Sequence, residues 1–465
     1  MKIDINEPVI EKIAKVAEES NVEIYAVGGF VRDKLLGKKS KDIDFVVVGD
    51  GLKFANDVAK YYNLKKVIEF KRFETAKIPF KGQEVEVVSA REEIYSENSR
   101  KPLVKKATLK SDLERRDFTI NAMAVKIYGE DKGEVVDHFN GLEDLQNGII
   151  KTPLDPFITY SEDPLRMLRA IRFSSRYDYM IDENSFNAIK SNIERLKIIS
   201  VERISDEFFK IMESDGAVNG LEKLDICGVL DFVFPELTAL KGVDIIQGKD
   251  HKDIFKHTMK VVENVCISSS SMRLRLAALF HDIGKPNVKK FSLDDGFSFW
   301  GHEDFGSKMV KKIGRRMKWS VELIDYLSKI IKLHHRPINL TTSEVSDSGV
   351  RRLLFEGGED VEDLMILCKS DITTSSSRKL DKFLRNYEVL EKKLIDVEER
   401  DRLRNFQPPV NGEEIMEILN ITPGKEVGRI KNFIVESILN GEIKNERSDI
   451  LGILQKIKSG ILDIN

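Results

Sequence analysis

"AVGGFVRDKLLGKKSKDIDFVVVG", residues 26–49, sets two glycines between an apolar run and a short helical segment, then opens a second apolar run with Asp42 and Asp44. The pattern reads strand, turn, helix, strand. Side chains alternate along a strand, so the two aspartates share one face. Bare carboxylates at that spacing repel, and one takes up a proton unless a cation offsets the charge. Mg²⁺ is such a cation: it favours carboxylate oxygens, usually beside substrate phosphates. Glu86, between Val85 and Val87 in "VEVVSAR", offers a third carboxylate, with Glu84 as the alternative. Gly28 and Gly29 bring backbone N–H groups and a helix N-terminus to the same edge, where phosphate is attracted. Arg32 adds a guanidinium for a triphosphate. Taken singly, these features also read as a tight turn and a solvated strand start.

Outward from this stretch, "LKFANDVAKYYN" reads as helix and "KKVIEF", "ETAKIPF" and "QEVEVVSAR" as strands. "TINAMAVKIYG" and "GEVVDHF", joined by "EDKG", close the region as a hairpin. From about residue 141 the spacing turns helical, as in "EDPLRMLRAIRFSSRY" and "VERISDEFFKIMES", with few strand signals after residue 150. The expected class is α+β: an α/β head with a mixed sheet at 1–140, a helical neck and body at 141–240, a further unit at 241–404 and a helical tail at 405–465. "LKGVDIIQGKDHKD" and "NFQPPVNG" are the linker candidates, and there is no internal repeat.

The bulk numbers agree with a multidomain globular chain. It has 465 residues, 41% hydrophobic and 33% charged, with a net charge of -3. That balance excludes a globally basic nucleic-acid binder but not a local basic surface. No window approaches a membrane span, and "MKIDINEPVIEKIAKVAEES" lacks a signal-peptide core. Three widely spaced cysteines give no disulfide framework, so a cytoplasmic location is expected. Residues 100–116, "RKPLVKKATLKSDLERR", hold seven Lys/Arg against two Asp/Glu. They read as a mobile solvated loop able to meet RNA phosphates.

"GGFVRD" with "DIDFVVVG", "RRDFTINAMA", "DHFNGLEDLQNGIIKT", "EDPLRMLRAIRFSSR", "SVERISDEFFKIM" and "NGEEIMEILNITPGKEVGRI" occur in that order. Together they resemble the class II tRNA CCA-adding enzymes and the bacterial poly(A) polymerases. The matches run from about residue 21 to 212 and resume near 405. The resemblance implies Asp42, Asp44 and Glu86 as a catalytic carboxylate set for two Mg²⁺ ions, Asp42 and Asp44 foremost. It implies Arg116, Asp117 and Asn121 as holders of the nucleotide's sugar and phosphates. It makes Asp163 and Arg166, three apart on one helix face, readers of cytosine and adenine, with Arg169 and Arg172 as further nucleotide-binding residues. The bland reading of that helix is an internal ion pair plus a basic face from Arg169, Arg172 and Arg176. The implied partners are tRNA, CTP and ATP, with no membrane, and the rival reading within the family is poly(A) synthesis.

Six of the seven histidines lie between residues 251 and 335. "HDIGKP" sets His281 beside Asp282; His257, His302, His334 and Asp371 fall in short contexts around it. Imidazole with carboxylate suits a divalent metal. The spacing resembles the HD superfamily of metal-dependent phosphohydrolases. That likeness implies His257, His281, Asp282 and Asp371 as core ligands and His302 and His334 as a second position, with His335 competing for it. His251 reads as a linker residue. The implied substrates are phosphomonoesters or 2′,3′-cyclic phosphates. A further rival follows: an RNA- or nucleotide-binding protein whose chemistry sits at the HD site.

Overall fold

The computed structural model describes the chain except residues 41, 81–82, 97–98, 244, 247–248, 251–252, 342–344, 375, 403, 405 and 463–465. His251 lies outside the described residues. Two compact units emerge, Met1–Pro235 and Glu236–Asn465.

The first unit begins with α1 (Pro8–Glu19), β1 (Ile24–Val27), α2 (Gly29–Leu35), β2 (Asp42–Val47) and α3 (Gly51–Tyr61). Strands β3 (Ile68–Phe70), β4 (Thr75–Ile78) and β5 (Glu84–Ser89) follow. The hairpin of β6 (Arg91–Ser96) and β7 (Ser99–Lys106) leads into α4 (Leu109–Glu114), β8 (Met123–Lys126) and β9 (Val135–Asp137). One seven-stranded sheet runs β3-β4-β5-β2-β1-β8-β9. It is mixed: β2 pairs with β5 in parallel and its other pairings are antiparallel. The apolar alternate residues of β2 (Ile43, Phe45) are fully buried, which holds Asp42 and Asp44 on the open face. Asp50 caps α3 by accepting from the Lys53 N–H.

Helices α5 (Gly141–Asn147), α6 (Pro156–Glu162), α7 (Leu165–Tyr177), α8 (Glu183–Asn192), α9 (Val201–Glu213), α10 (Ala217–Ile226) and α11 (Val229–Val233) complete this unit. A short parallel pair, β10 (Ile149–Ile150) with β11 (Met180–Ile181), lies among them.

After α12 (Pro235–Thr238), the second unit is helical: α13 (Ile254–Ser268), α14 (Met272–Phe280), α15 (Lys285–Val288), α16 (His302–Arg316), α17 (Val321–Leu333), α18 (Arg336–Thr341), α19 (Asp347–Gly357) and α20 (Val361–Asp371). Helix α14 is buried from Leu274 to Phe280, as expected of a helix apolar nearly all round. The 25-residue α21 (Ser377–Asp401) and three further helices end the chain. Two strand pairs interrupt this region: β12 (Ile245–Ile246) with β13 (Lys249–Asp250), and β14 (Lys290–Ser292) with β15 (Gly296–Ser298). The latter are three-residue strands around "LDD", too short for an alternation signal.

The basic run at 100–116 departs from a mobile loop. Its first part is strand β7 and its last part is α4, capped by Thr108 Oγ1 accepting from the Ser111 N–H. The fully buried Asp112 explains the helix, since it binds both Arg115 and Arg116 one turn on.

Candidate functional site

The carboxylates gather as the strand register requires. Asp44 is paired with Glu86 and Asp42 with Glu84 across the parallel β2–β5 ladder. All four positions therefore share one face; the Glu84 side chain lies outside the described residues. Glu86 also faces Lys77 of β4, with Nζ 4.0 Å from Oε2. Desolvation by burial pushes the Asp44 carboxyl above its ordinary pKa; Arg116 opposes the rise and Asp42 adds to it. A cation at this face removes that penalty, so the residues present fit a divalent ion.

The glycine turn works differently from expectation. The Gly28 N–H donates to the Met123 carbonyl at 3.1 Å, so it is not free for phosphate, and α2 has only seven residues. Gly28 has φ +70, and a Cβ there would stand 2.7 Å from Arg116 Nη1. The glycine makes room for Arg116, whose Nη2 is held by Asp112 at 3.1 Å.

Arg32 is likewise placed differently from a free triphosphate ligand. It is 6% exposed. Its Nε and Nη2 donate to Asp33 Oδ1 at 2.9 and 2.8 Å, and its Nη1 to Asn121 Oδ1 at 2.5 Å. The guanidinium lies 5.2 Å from the ring centroids of both Phe173 and Tyr177 on α7. Asn121 in turn donates to Asp117 Oδ1 at 3.0 Å. Asp117 Oδ2 accepts from Arg169 Nε and Nη2 at 2.8 and 2.5 Å. Burial raises the Asp117 carboxyl, but Arg169 and Asn121 outweigh it and hold its pKa at about 2. Arg32, Asn121, Asp117 and Arg169 thus form one chain tying α7 to α2 and to the segment that leads into β8.

Asp163 and Arg166 do not share a helix face. Pro164 starts the helix, so Asp163 stays extended before it, and its Oδ1 accepts from the Leu165 N–H at 3.3 Å. Arg166 is on the first turn of α7, donating from Nη2 to the Arg115 carbonyl at 2.6 Å. Arg172 departs further from a nucleotide ligand. It is buried, donates to Glu207 Oε2 of α9 at 2.6 Å and stacks 4.3 Å from the Phe173 centroid. Sequence reasoning passed over Asp112 and Glu207. The signal for Asp112 was present, an acid followed by arginines three and four residues on; none marks Glu207.

In the second unit every predicted ligand sits at a helix end or within the first turns. His257 Nε2 is 2.8 Å from Asp371 Oδ1 and 3.6 Å from Asp282 Oδ2. His281 Nε2 is 3.2 Å from Asp282 Oδ2 and 3.5 Å from Asp371 Oδ1. On the other side of Asp282, Oδ1 is 3.5 Å from His302 Nε2 and 4.0 Å from His334 Nε2. Asp282 therefore stands between two donor groups. The Nδ1 atoms of His281, His302 and His334 lie 2.8, 2.9 and 2.6 Å from the carbonyls of Ala278, Phe299 and Ile331, and His257 Nδ1 lies 3.0 Å from Thr373 Oγ1. Nδ1–H donation to those carbonyls turns each Nε2 lone pair inward, the arrangement that prepares imidazole for metal. His281 Nε2 and Asp282 Oδ1 are buried with no hydrogen-bond partner, so the set fits a cation. Burial, reinforced by His335 and His281, keeps His334 well below its ordinary pKa and so neutral. His335 turns instead to Glu303, Nδ1 to Oε1 3.0 Å, although its ring remains in the cluster with His302 and His334. Gly284 admits the start of α16: a Cβ there would meet the His302 carbonyl at 2.3 Å. Lys285, absent from the expected set, places Nζ 2.5 Å from Asp282 Oδ2.

A mixed sheet bears paired carboxylates beside an arginine-braced helix, and a helical histidine–aspartate centre follows in the second unit. Family models match accordingly: the poly A polymerase head domain at 24–151, the probable RNA and SrmB-binding site of polymerase A at 178–241, and the HD domain at 254–375. The "Multifunctional CCA protein" of Pseudoalteromonas atlantica is 31% identical over 75% of this chain and 85% of its own length. The "CCA-adding enzyme" of Ligilactobacillus salivarius is 27% identical over 97% and 95%. The "A-adding tRNA nucleotidyltransferase" of Geobacter sulfurreducens is 38% identical over 49% of this chain, which covers only 26% of that longer protein. The solved structure of the Thermotoga maritima CCA-adding enzyme with tRNA shares the fold, at TM-score 0.61 and 24% identity over 97% and 96% of the two chains. The chain belongs to the tRNA nucleotidyltransferase and poly(A) polymerase family and carries its HD domain, and both parts belong to divalent-metal-dependent families.

Proposed function

We propose that the first unit adds CCA to tRNA 3′ ends from CTP and ATP without a nucleic-acid template. The observation that carries this reading is the pairing of Asp44 with Glu86, beside Asp42 and within the influence of Arg116. It is supported by the CCA-adding relative that spans nearly the whole chain. Asp42, Asp44 and Glu86 would hold Mg²⁺, which when bound neutralises charge on the triphosphate and the attacking oxygen. The primer 3′-oxygen forms a bond to the α-phosphorus as the bond to pyrophosphate breaks. Arg116, lying on Gly28, offers Nη1 to the phosphates. Asp163 accepts from, and Arg166 donates to, the edge of the base. Arg32, Asn121, Asp117 and Arg169 hold that reader against α2 and the segment before β8, and Arg172 with Glu207 holds α7 to α9. The four-part division at residues 140, 240 and 404 and a cytoplasmic location belong to the same proposal; no described helix is long and apolar enough to cross a membrane.

A second reading, addition of the terminal A alone, is favoured by the 38% identical A-adding relative. tRNAs ending before CCA, after C and after CC, each given one labelled nucleotide, separate the two. CMP on the first two and AMP on the third is expected. AMP on the CC-ended tRNA alone would move the assignment to A addition, and runs of A to poly(A) synthesis.

For the second unit we propose divalent-metal-dependent hydrolysis of phosphate esters, held by His257, His281, Asp282, Asp371, His302 and His334. Replacing His281→Ala and Asp282→Ala should abolish that hydrolysis; its persistence would remove the reading.

A further inference from the structure

From Lys308 to Lys318 the chain has six Lys/Arg and no acid, although its net charge is -3. All six are exposed. Lys311, Lys312 and Arg315 stand three, four and seven residues beyond Lys308, so the four form one stripe along the outer side of α16. The inner side is fixed by packing. Val310 and Ile313 are buried, and a Cβ on Gly314 would stand 2.5 Å from Ile324 Cγ1 of α17. Ser307 Oγ lies 2.8 Å from Ser328 Oγ across the same contact. The stripe is therefore held outward, and none of its four side chains meets an acid among the described residues. It runs for about 10 Å, a length over which one nucleic-acid strand presents about three phosphates.

A second row of cations borders the stripe. Lys329, Lys332 and Arg336 line a cavity of about 530 Å³ together with Lys308 and Lys311. Acids answer this row: Lys329 Nζ lies 2.5 Å from Asp360 Oδ2, Lys332 Nζ 3.9 Å from Asp304 Oδ1 and Arg336 Nη2 3.1 Å from Glu356 Oε2. The α16 row is the side of the groove left for an outside anion. Phe305, 38% exposed, stands at the margin of the same stripe, three residues before Lys308 and seven before Lys312. We propose that this side of α16 is a docking surface for the phosphate backbone of RNA. Lys and Arg release counterions from phosphates, and an exposed ring beside them offers a base a stacking face. A membrane-surface helix would turn its apolar side to lipid, and the apolar side of α16 is already packed on α17. The RNA of interest is tRNA, so the inference rests on the reading of the chain as a tRNA nucleotidyltransferase.

The test measures binding of a tRNA lacking CCA by the full chain as salt is varied, apart from any nucleotide addition. The triple variant Lys308→Gln, Lys311→Gln, Arg315→Gln should bind tRNA about tenfold or more weakly at physiological salt. The slope of log affinity against log salt should become shallower by about 2. In the incorporation assay KM for tRNA should rise, with kcat and KM for CTP within about twofold of native. The variant Lys308→Arg, Lys311→Arg should bind as the native chain does. Unchanged affinity and slope in the triple variant overturn the proposal and leave α16 a solvated surface. Phosphatidylserine vesicles that bind the native chain and not the triple variant, with tRNA binding unaffected, also overturn it. If tRNA binding depends on the stripe but the native chain adds no nucleotide, the surface stands and the nucleotidyl-transfer reading falls alone. A native chain that binds no tRNA ends both.

Discussion

Arg172 shows how a residue in a nucleotide-binding stretch can serve packing. Its guanidinium and the Glu207 carboxylate are both buried, so Arg172→Ala takes a partner from a buried charge and leaves it to the half-exposed Lys210, whose Nζ lies 3.1 Å from Glu207 Oε1. The expected loss is about 3 kcal/mol in urea unfolding, with KM for ATP changed less than about twofold. Changing both, Arg172→Met with Glu207→Leu, should recover most of the loss. Asp117 gives a pH signature. Its folded pKa, about 2, lies below the ordinary value of 3.8. A depressed carboxylate contributes stability that is present above its unfolded pKa and lost as pH falls through the folded one. Between about pH 4 and pH 2 the protein should lose on the order of 2 kcal/mol through this group, and Asp117→Asn should flatten that part of the profile. Residue types and the family resemblance pointed to Asp42, Asp44 and the six His/Asp residues that draw together in the second unit. The partner of Arg172 was not legible in the sequence, because Glu207 lies 35 residues away on another helix.

Among the elements, the buried face of β2 follows from its apolar alternation, and most of the head's boundaries fall near where the sequence reading places them. What escaped it were short or locally overridden pieces. Strands β14 and β15 are too brief to show a period, and α4 hides in a basic run because its organising acid is a single buried Asp112. The β1–α2 turn is the most informative element. Its glycine is required by φ +70 and by Arg116, not by an open amide. Gly28→Ala should therefore cost about 1–2 kcal/mol of backbone strain and displace Arg116. Nucleotide incorporation should fall at least about tenfold in kcat/KM, while Gly37→Ala, also at positive φ but with open space around it, should show the strain without the kinetic loss.

At the scale of the molecule, two units carry two separate sets of charge-bearing residues, and each closes its own cluster. The carboxylates come from β2 and β5 of the first unit; the histidines and aspartates come from helix ends of the second. The two activities proposed for these units should then be separable by mutation. The most direct measurement is incorporation of labelled CMP and AMP into a tRNA lacking its CCA end by the Asp42→Asn, Asp44→Asn double variant. Incorporation should fall by at least about a thousandfold, while phosphate-ester hydrolysis at the second site remains at the native level. Incorporation that persists at the native rate would contradict the assignment of this carboxylate face as the site of nucleotidyl transfer.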